Sequence, residues 1–367
     1  MLLFTPGPTP VLEDVRLAMA EPTIHHRTPE FEAIFEQTRL KLFKLFQMDE
    51  VLMLASSGTG AMEAAVINLC KSKALVVNSG KFGERFAKIV KAYDKPLVEL
   101  KYEWNTPASL EDVKSALSEN SDIDAIFIQV CESAGGLRHP VEAIAAAAKA
   151  INPQISVIAD GITAVGVEAI DTTQIDCLIT GSQKALMLPP GLAMMGLSNA
   201  AIEKIGKGTG YYFNLASEIA KQKENTTAYT AATTLVIGLN KMLEKVEKMG
   251  FDTLYAQTKQ RANAVTAAME TIGLTIYPKT PALAMTTIIM DDTNPVRKIL
   301  KEKYGVNVAG GQDHLKGKIF RINQMGIIDA NELAWVVDSV EKTLSDLNLR
   351  AYDGSANAAF NKIYYGK

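Results

Sequence analysis

Sulfur, histidine and tryptophan are scarce in this chain. Its 367 residues include three cysteines, four histidines and two tryptophans. Cys70, Cys131 and Cys177 lie far apart, form no CxxC pair and cannot all pair with one another, so a reducing, cytoplasmic setting is expected. His25, His26, His139 and His314 show no metal-ligand spacing, so no metal is expected and surface or loop positions are. No run of about 18 uncharged apolar residues occurs, and the longest candidates are cut by Glu142, Lys149 and Lys184, so no transmembrane helix is expected. The opening Met1-Leu2-Leu3-Phe4-Thr5-Pro6-Gly7-Pro8 has no basic region before its apolar residues, unlike a secretory signal. A large excess of one charge is also missing. A net charge of −3 argues against nucleic acid or an acidic membrane surface as the main partner.

What is present is globular: 47% apolar and 22% charged residues. At about 150 residues per domain, the length predicts two folding units. Short apolar runs alternate with helical patterns. Strands are predicted at Ala74–Val77, Ala125–Val130, Ser156–Ala159 and Cys177–Thr180, with helices at Phe82–Ala92 and Val141–Ile151 between them. Continuous apolar runs separated by helices predict an α/β fold with a mainly parallel sheet covered on both faces. From Lys241 the pattern changes. Helices at Lys241–Met249, Leu254–Ile272 and Ala330–Leu347 surround strands at Thr286–Met290 and Ile319–Ile322, as in a smaller α+β unit. The division read from this is an N-terminal segment (1–20), a large domain (21–250) and a small C-terminal domain (251–367). The small, polar stretch Asp353–Asn357 reads as a loose tail.

Ligands of parallel sheets collect beyond the carboxyl ends of the strands, and four features fall at such ends. Ser56-Ser57-Gly58-Thr59-Gly60 opens a strong helix former. It is either an ordinary capped helix or a phosphate site built on unpaired N–H groups. It matches neither GxGxxG nor GxxxxGK[ST], which leaves nucleotide readings without their signatures. Asp160 ends an apolar strand and could cap the next segment or hold a cationic nitrogen. Lys184 follows another strand and precedes Pro189-Pro190-Gly191; it is a surface charge or a desolvated nucleophile. Arg321 interrupts a strand pattern, either in a surface ion pair or as a fork for a carboxylate. Taken together, these are the parts a pyridoxal-phosphate enzyme acting on amino acids requires.

The order of motifs resembles that of the class V aminotransferases, in the fold-type I pyridoxal-phosphate group, and most of all the alanine–glyoxylate / serine–pyruvate branch. The resemblance runs through Pro6-Gly7-Pro8, His25-His26-Arg27-Thr28-Pro29-Glu30-Phe31, Ser57-Gly58-Thr59-Gly60, Glu132-Ser133-Ala134-Gly135-Gly136, Asp160-Gly161-Ile162, Gly181-Ser182-Gln183-Lys184 and Phe320-Arg321-Ile322. It implies a large domain with a mixed, mainly parallel sheet between helices, a smaller C-terminal domain, and a homodimer with sites at the subunit interface. It implies pyridoxal 5'-phosphate joined covalently to Lys184, with Asp160 on the pyridine nitrogen. Ser57, Gly58, Thr59 and Gln183 would surround the phosphate, Phe82 would stack on the ring, and Ser133 and Ile162 would lie beside it. Thr227 and Thr230 would reach the phosphate of the neighbouring subunit. Arg321 and Gly7 would receive the substrate. Against the family pattern, Ala134 replaces a serine, Gly135-Gly136 replaces Thr-Gly, and Ala231-Ala232 stand where a proline is usual.

The activity implied is transfer of an amino group from a small amino acid (alanine, serine or aspartate) to a 2-oxo acid (glyoxylate or pyruvate), by ping-pong kinetics. Alternatives on the same fold are a 2-aminoethylphosphonate aminotransferase, a lyase, or a non-catalytic cofactor-binding accessory subunit. A cysteine desulfurase is disfavoured, because no cysteine follows Cys177.

Overall fold

The computed structural model describes residues 1–366. In chain order the strands are β1 (Leu2–Phe4), β2 (Glu50–Leu54), β3 (Lys73–Asn78), β4 (Leu97–Lys101), β5 (Ile123–Gln129), β6 (Cys131–Glu132), β7 (Leu137–Arg138), β8 (Ser156–Asp160), β9 (Cys177–Gly181), β10 (Ala193–Leu197), β11 (Thr275–Ile276), β12 (Met285–Ile289), β13 (Val306–Gly310) and β14 (Ile319–Asn323). Seven of them form one sheet in the order β2-β10-β9-β8-β5-β3-β4. Neighbours from β9 to β4 pair in parallel, whereas β10 runs antiparallel to both β9 and β2. Six strands therefore point one way, and their carboxyl ends lie along one edge.

The pleat explains the continuous apolar runs. Leu75, Val77, Ile126, Ile128, Val157 and Leu178 enter one core cluster, and the alternate Ala74, Val76, Ala125, Phe127, Ile158 and Ile179 enter another. Side chains alternate across a strand, so a sheet buried on both faces needs an apolar residue at every position. Crossover helices Gly58–Leu69, Lys81–Ala92 and Val141–Ile151 supply the cover.

A second sheet has the order β1-β13-β14-β12-β11. Its core of Phe320, Ile322, Val265, Ala268, Val337 and Val340 packs it against the helices Phe251–Thr271 and Ala330–Asp346. The chain's first residues contribute to it, since β1 pairs in parallel with β13. The helix anticipated from Lys241 begins earlier, at Thr233. Its first turns carry Val236, Leu239 and Met242, all buried.

The loose tail expected at Asp353–Asn357 is a correction. Ser355–Tyr365 is a helix, and Ala356 and Phe360 are buried in the second core. The buried Glu341 carboxylate accepts from Asp353 N and Ala356 N, which fixes the helix start. Small polar residues mark a helix cap as readily as a loose end. His139 lies in the loop that follows β7, one of the positions expected of it, and it is buried there, its Nδ1 accepting from Ala108 N at 3.0 Å. The three cysteines are free and buried. Among the described residues, no helix is long and apolar enough to cross a membrane.

If the terminal helix is part of the core, Phe360→Ala is expected to cost about 3–5 kcal/mol. The measurement is the urea midpoint of helical circular dichroism, and an unchanged midpoint would contradict the packing.

Candidate active site

The carboxyl ends of β2, β3, β5, β8 and β9 bring together most of the residues singled out above. β8 ends in Asp160, which is buried. Its Oδ1 accepts from Ile162 N at 2.9 Å, a local turn contact that leaves the other oxygen free of it. Two residues past β9 come Gln183 and Lys184. Their turn is closed by Ser182, whose hydroxyl donates to Pro189 O at 2.7 Å and accepts from Leu192 N at 3.3 Å. Met187 N then bonds back to Lys184 O at 2.9 Å.

The N-terminal segment lies over this turn. Thr9 Oγ1 donates to Lys184 O at 2.6 Å, and Lys184 Nζ donates to Pro6 O at 2.5 Å. Gly7 has φ +108°, and a Cβ there would fall 2.4 Å from Lys184 Nζ. Only glycine permits that approach. Burial, together with the Arg321 cation, depresses the Lys184 amine to about 8; Asp160 acts in the opposite direction. An amine held this way is partly neutral, hence nucleophilic, near neutral pH.

Past β2, Ser57 is the N-cap of the helix Gly58–Leu69, yet its side chain makes no cap hydrogen bond. A Cβ at Gly58 would strike Ile162 Cδ1 at 2.4 Å, so the cradle packs directly on the Asp160 turn. A Cβ at Gly181 would lie 3.0 Å from Gln183 Oε1 and 3.9 Å from Gly58 N. Gln183 Oε1 is itself buried without a partner. The unfilled cap leaves the first N–H groups of the helix Gly58–Leu69 as donors for a phosphate ester, and the unpartnered Gln183 amide lies beside them. Asp160 supplies a buried carboxylate for a protonated ring nitrogen. On these observations the residues fit pyridoxal 5'-phosphate.

Arg321 arrives from the second sheet. Phe320 and Ile322 face the second core, so strand alternation turns Arg321 the other way. Its Nη1 donates to Ser133 O and its Nη2 to Gly310 O, each at 2.5 Å, and Nε is buried without a partner. The bulk of its fork of five N–H groups is free of these two bonds. Ser133 is buried beside it. Thr227 and Thr230 are not brought into this cluster. They line a separate cavity with Tyr212, Phe213, Glu218 and Tyr229, and Thr227 Oγ1 donates to Tyr229 O at 2.5 Å.

Arg85 escaped the sequence reading, and Glu132 entered it only as part of a motif, with no role of its own. Arg85 stacks its guanidinium 4.6 Å from the centre of the Phe82 ring and donates to Thr59 Oγ1 at 2.9 Å. Glu132 is fully buried and accepts from Phe82 N, Gly83 N and Ala134 N. A signal for Arg85 was present: it lies three residues after Phe82, on the same helix face.

Comparison with known proteins agrees with this geometry. A crystal structure of aspartate aminotransferase (subgroup IV) from Thermus thermophilus superposes with a TM-score of 0.89 at 32% identity, covering 94% of this chain and 99% of that one. This is the fold of the fold-type I pyridoxal-phosphate aminotransferases. The Aminotransferase class-V family model matches residues 5–340, so the chain belongs to that family and is a pyridoxal-phosphate-dependent aminotransferase. An uncharacterized aminotransferase of Helicobacter pylori is 51% identical over the whole of both chains. The serine–glyoxylate aminotransferase of Hyphomicrobium methylovorum is 29% identical over 97% of this chain and 93% of its own.

Burial lifts the Asp160 carboxyl from 3.8 to about 6. The cofactor-free fold thus keeps a proton that the unfolded chain releases. The stability from this group is present below about pH 4 and lost as pH rises through 6. Asp160→Asn keeps an acceptor for Ile162 N. It should raise the melting temperature of the cofactor-free protein at pH 8 by roughly a few degrees and leave it unchanged at pH 4. Scanning fluorimetry at the two values checks this.

Proposed function

We propose that this enzyme moves the amino group of a small amino acid (alanine, serine or aspartate) to glyoxylate or pyruvate in two half-reactions, with Lys184 as the residue that handles the proton. The carrying observation is the half-buried Lys184 amine, bonded to Pro6 O, depressed to about 8 by desolvation and Arg321, with the Asp160 carboxylate pulling the other way. Pyridoxal 5'-phosphate, when bound, supplies an aldehyde for covalent linkage to amines and a pyridine ring that withdraws electrons from the substrate.

Ser57, Gly58, Thr59 and Gln183 would hold the phosphate. Asp160 would keep a proton on the ring nitrogen, and Phe82, Ser133 and Ile162 would confine the ring. Arg321 receives the substrate carboxylate, and Gly7 leaves room for it beside the amine. Lys184 Nζ would be the base that takes the Cα proton of the amino acid and holds it for return within the site. It stays tethered within reach, so the transfer is effectively intramolecular. Ping-pong kinetics follow, because the amino group rests on the enzyme between the two acids.

Residues 21–250 serve in this account as the cofactor domain and 251–367 as the domain that brings Arg321. A homodimer gives Thr227 and Thr230 their role, on the phosphate of the neighbouring copy. Their position away from Lys184, among the tyrosines, supports a contribution to another site. The names of relatives acting on aspartate and on serine with glyoxylate support the substrate class.

A half-reaction screen tests the reading. Each amino acid is added to the yellow enzyme while the aldehyde absorbance is followed into the amine form. Conversion by alanine, serine or aspartate is expected; conversion by an aminophosphonate alone would overturn it. Borohydride trapping followed by peptide mapping should find the reduced adduct on Lys184. Arg321→Lys should raise KM for the amino acid about tenfold or more and change kcat less, because a point charge does not reproduce the fork.

A further inference from the structure

Glu132 has no place in the chemistry described above, yet it is the most completely enclosed carboxyl group near it. Its Oε2 accepts from Phe82 N at 2.9 Å and Gly83 N at 3.1 Å, the first donors of the helix Lys81–Ala92. Its Oε1 accepts from Ala134 N at 3.0 Å. Its own carbonyl accepts from Gly135 N and Gly136 N. One residue therefore ties two segments together: the helix start that presents Phe82, and the loop whose Ser133 carbonyl holds Arg321.

Gly80 is shaped to admit this clamp. A Cβ there would sit 2.5 Å from Glu132 Cδ. No cationic side chain forms an ion pair with Glu132 among the described residues. Its compensation is the helix N-terminus, the loop amides and the field of the nearby Arg321. Stability alone rarely selects a buried carboxylate over an apolar side chain. Burial pushes the Glu132 carboxyl up to about 7 and its three backbone donors pull the other way; its two oxygens hold three N–H groups from two segments at once.

We propose that Glu132 is a positioning residue: it locks the ring-facing Phe82 and the carboxylate-binding Arg321 into one unit, so that cofactor ring and substrate carboxylate keep a fixed separation. This deepens the aminotransferase reading and rests on it.

The test uses holoenzyme variants Glu132→Gln, Glu132→Asp and Gly80→Ala. Gly80→Ala displaces the clamp without altering its chemistry. Three readouts are compared: the visible circular dichroism of the bound cofactor, the affinity for propionate as a carboxylate probe, and the separate kcat and KM values. With Gln, an NH2 group replaces one acceptor oxygen and must face an N–H donor. Glu132→Gln and Gly80→Ala should change the cofactor band and weaken propionate together, and lower kcat/KM by roughly ten- to a hundredfold. In the double variant Glu132→Gln/Arg321→Lys, KM should exceed that of Arg321→Lys alone by less than the factor by which Glu132→Gln alone raises it.

A folded Gly80→Ala or Glu132→Gln enzyme in which only one of the two readouts moves, or neither, overturns the proposal, as does full additivity in the double variant. If Glu132→Gln fails to fold, Gly80→Ala and Glu132→Asp decide by the same criteria. Borohydride trapping on Lys184 in the parent enzyme separates this outcome from failure of the underlying reading: a labelled Lys184 with unmoved readouts sinks the clamp alone.

Discussion

A lysine amine drawn largely out of water is the constraint around which the molecule is arranged. Burial makes the charged form of Lys184 unfavourable, and the Arg321 guanidinium adds to that pressure. Asp160, itself desolvated, pulls the other way. Each of these groups would be costly alone. Together they lie within electrostatic reach of one another at the carboxyl edge of the seven-stranded sheet, with Gly7 and Pro6 closing over the amine. The two sheets, the overlying N-terminal segment and the glycine at position 7 all serve to keep that amine dry and aimed.

The arrangement uses rigid elements for the charged groups and backbone for the rest. Asp160 ends a central strand, and Arg321 sits in the middle strand of the second sheet, paired on both sides with register Thr287 and Ala309. Neither can drift without breaking a ladder. The cradle at Gly58 offers helix N–H groups in place of side-chain cations, so its charge is fixed by the fold. Ser133 and Gly310 bind Arg321 through carbonyl oxygens, which orient the guanidinium without neutralising it. That leaves the positive charge available to a carboxylate.

Much of the fold was legible in the sequence, because strand and crossover helix carry different periodicities. The runs at 74–77, 125–130, 156–159 and 177–180 became strands, and Val141–Ile151 became a helix with the same bounds. The tail was misread, and the burial of His139 within its loop was not foreseen, for one reason. Their burial depends on partners distant in sequence, Glu341 and the second core for the tail, Ala108 for the histidine. No local pattern encodes such a partner. Glu132 was visible as part of a motif, but the three amides it gathers come from two separate segments.

The sequence by itself determined the alternation of α and β elements and the identity of the chemical groups at the strand ends, since both are local: a residue's periodicity and its distance from a turn do not depend on the rest of the chain. It also carried the ordered motifs from Pro6 to Arg321 that mark the aminotransferase family. Only the tertiary structure decided that Gly7 lies against Lys184, that Gly58 packs on the Asp160 turn, that Asp160 and Arg321 act on the Lys184 amine, that β1 joins the second sheet, and that Arg85 and Glu132 grip Phe82. The physical reason is that strand pairing and desolvation are long-range. The charge state of an amine is set by which groups the fold packs against it, and these lie up to 178 positions away along the chain.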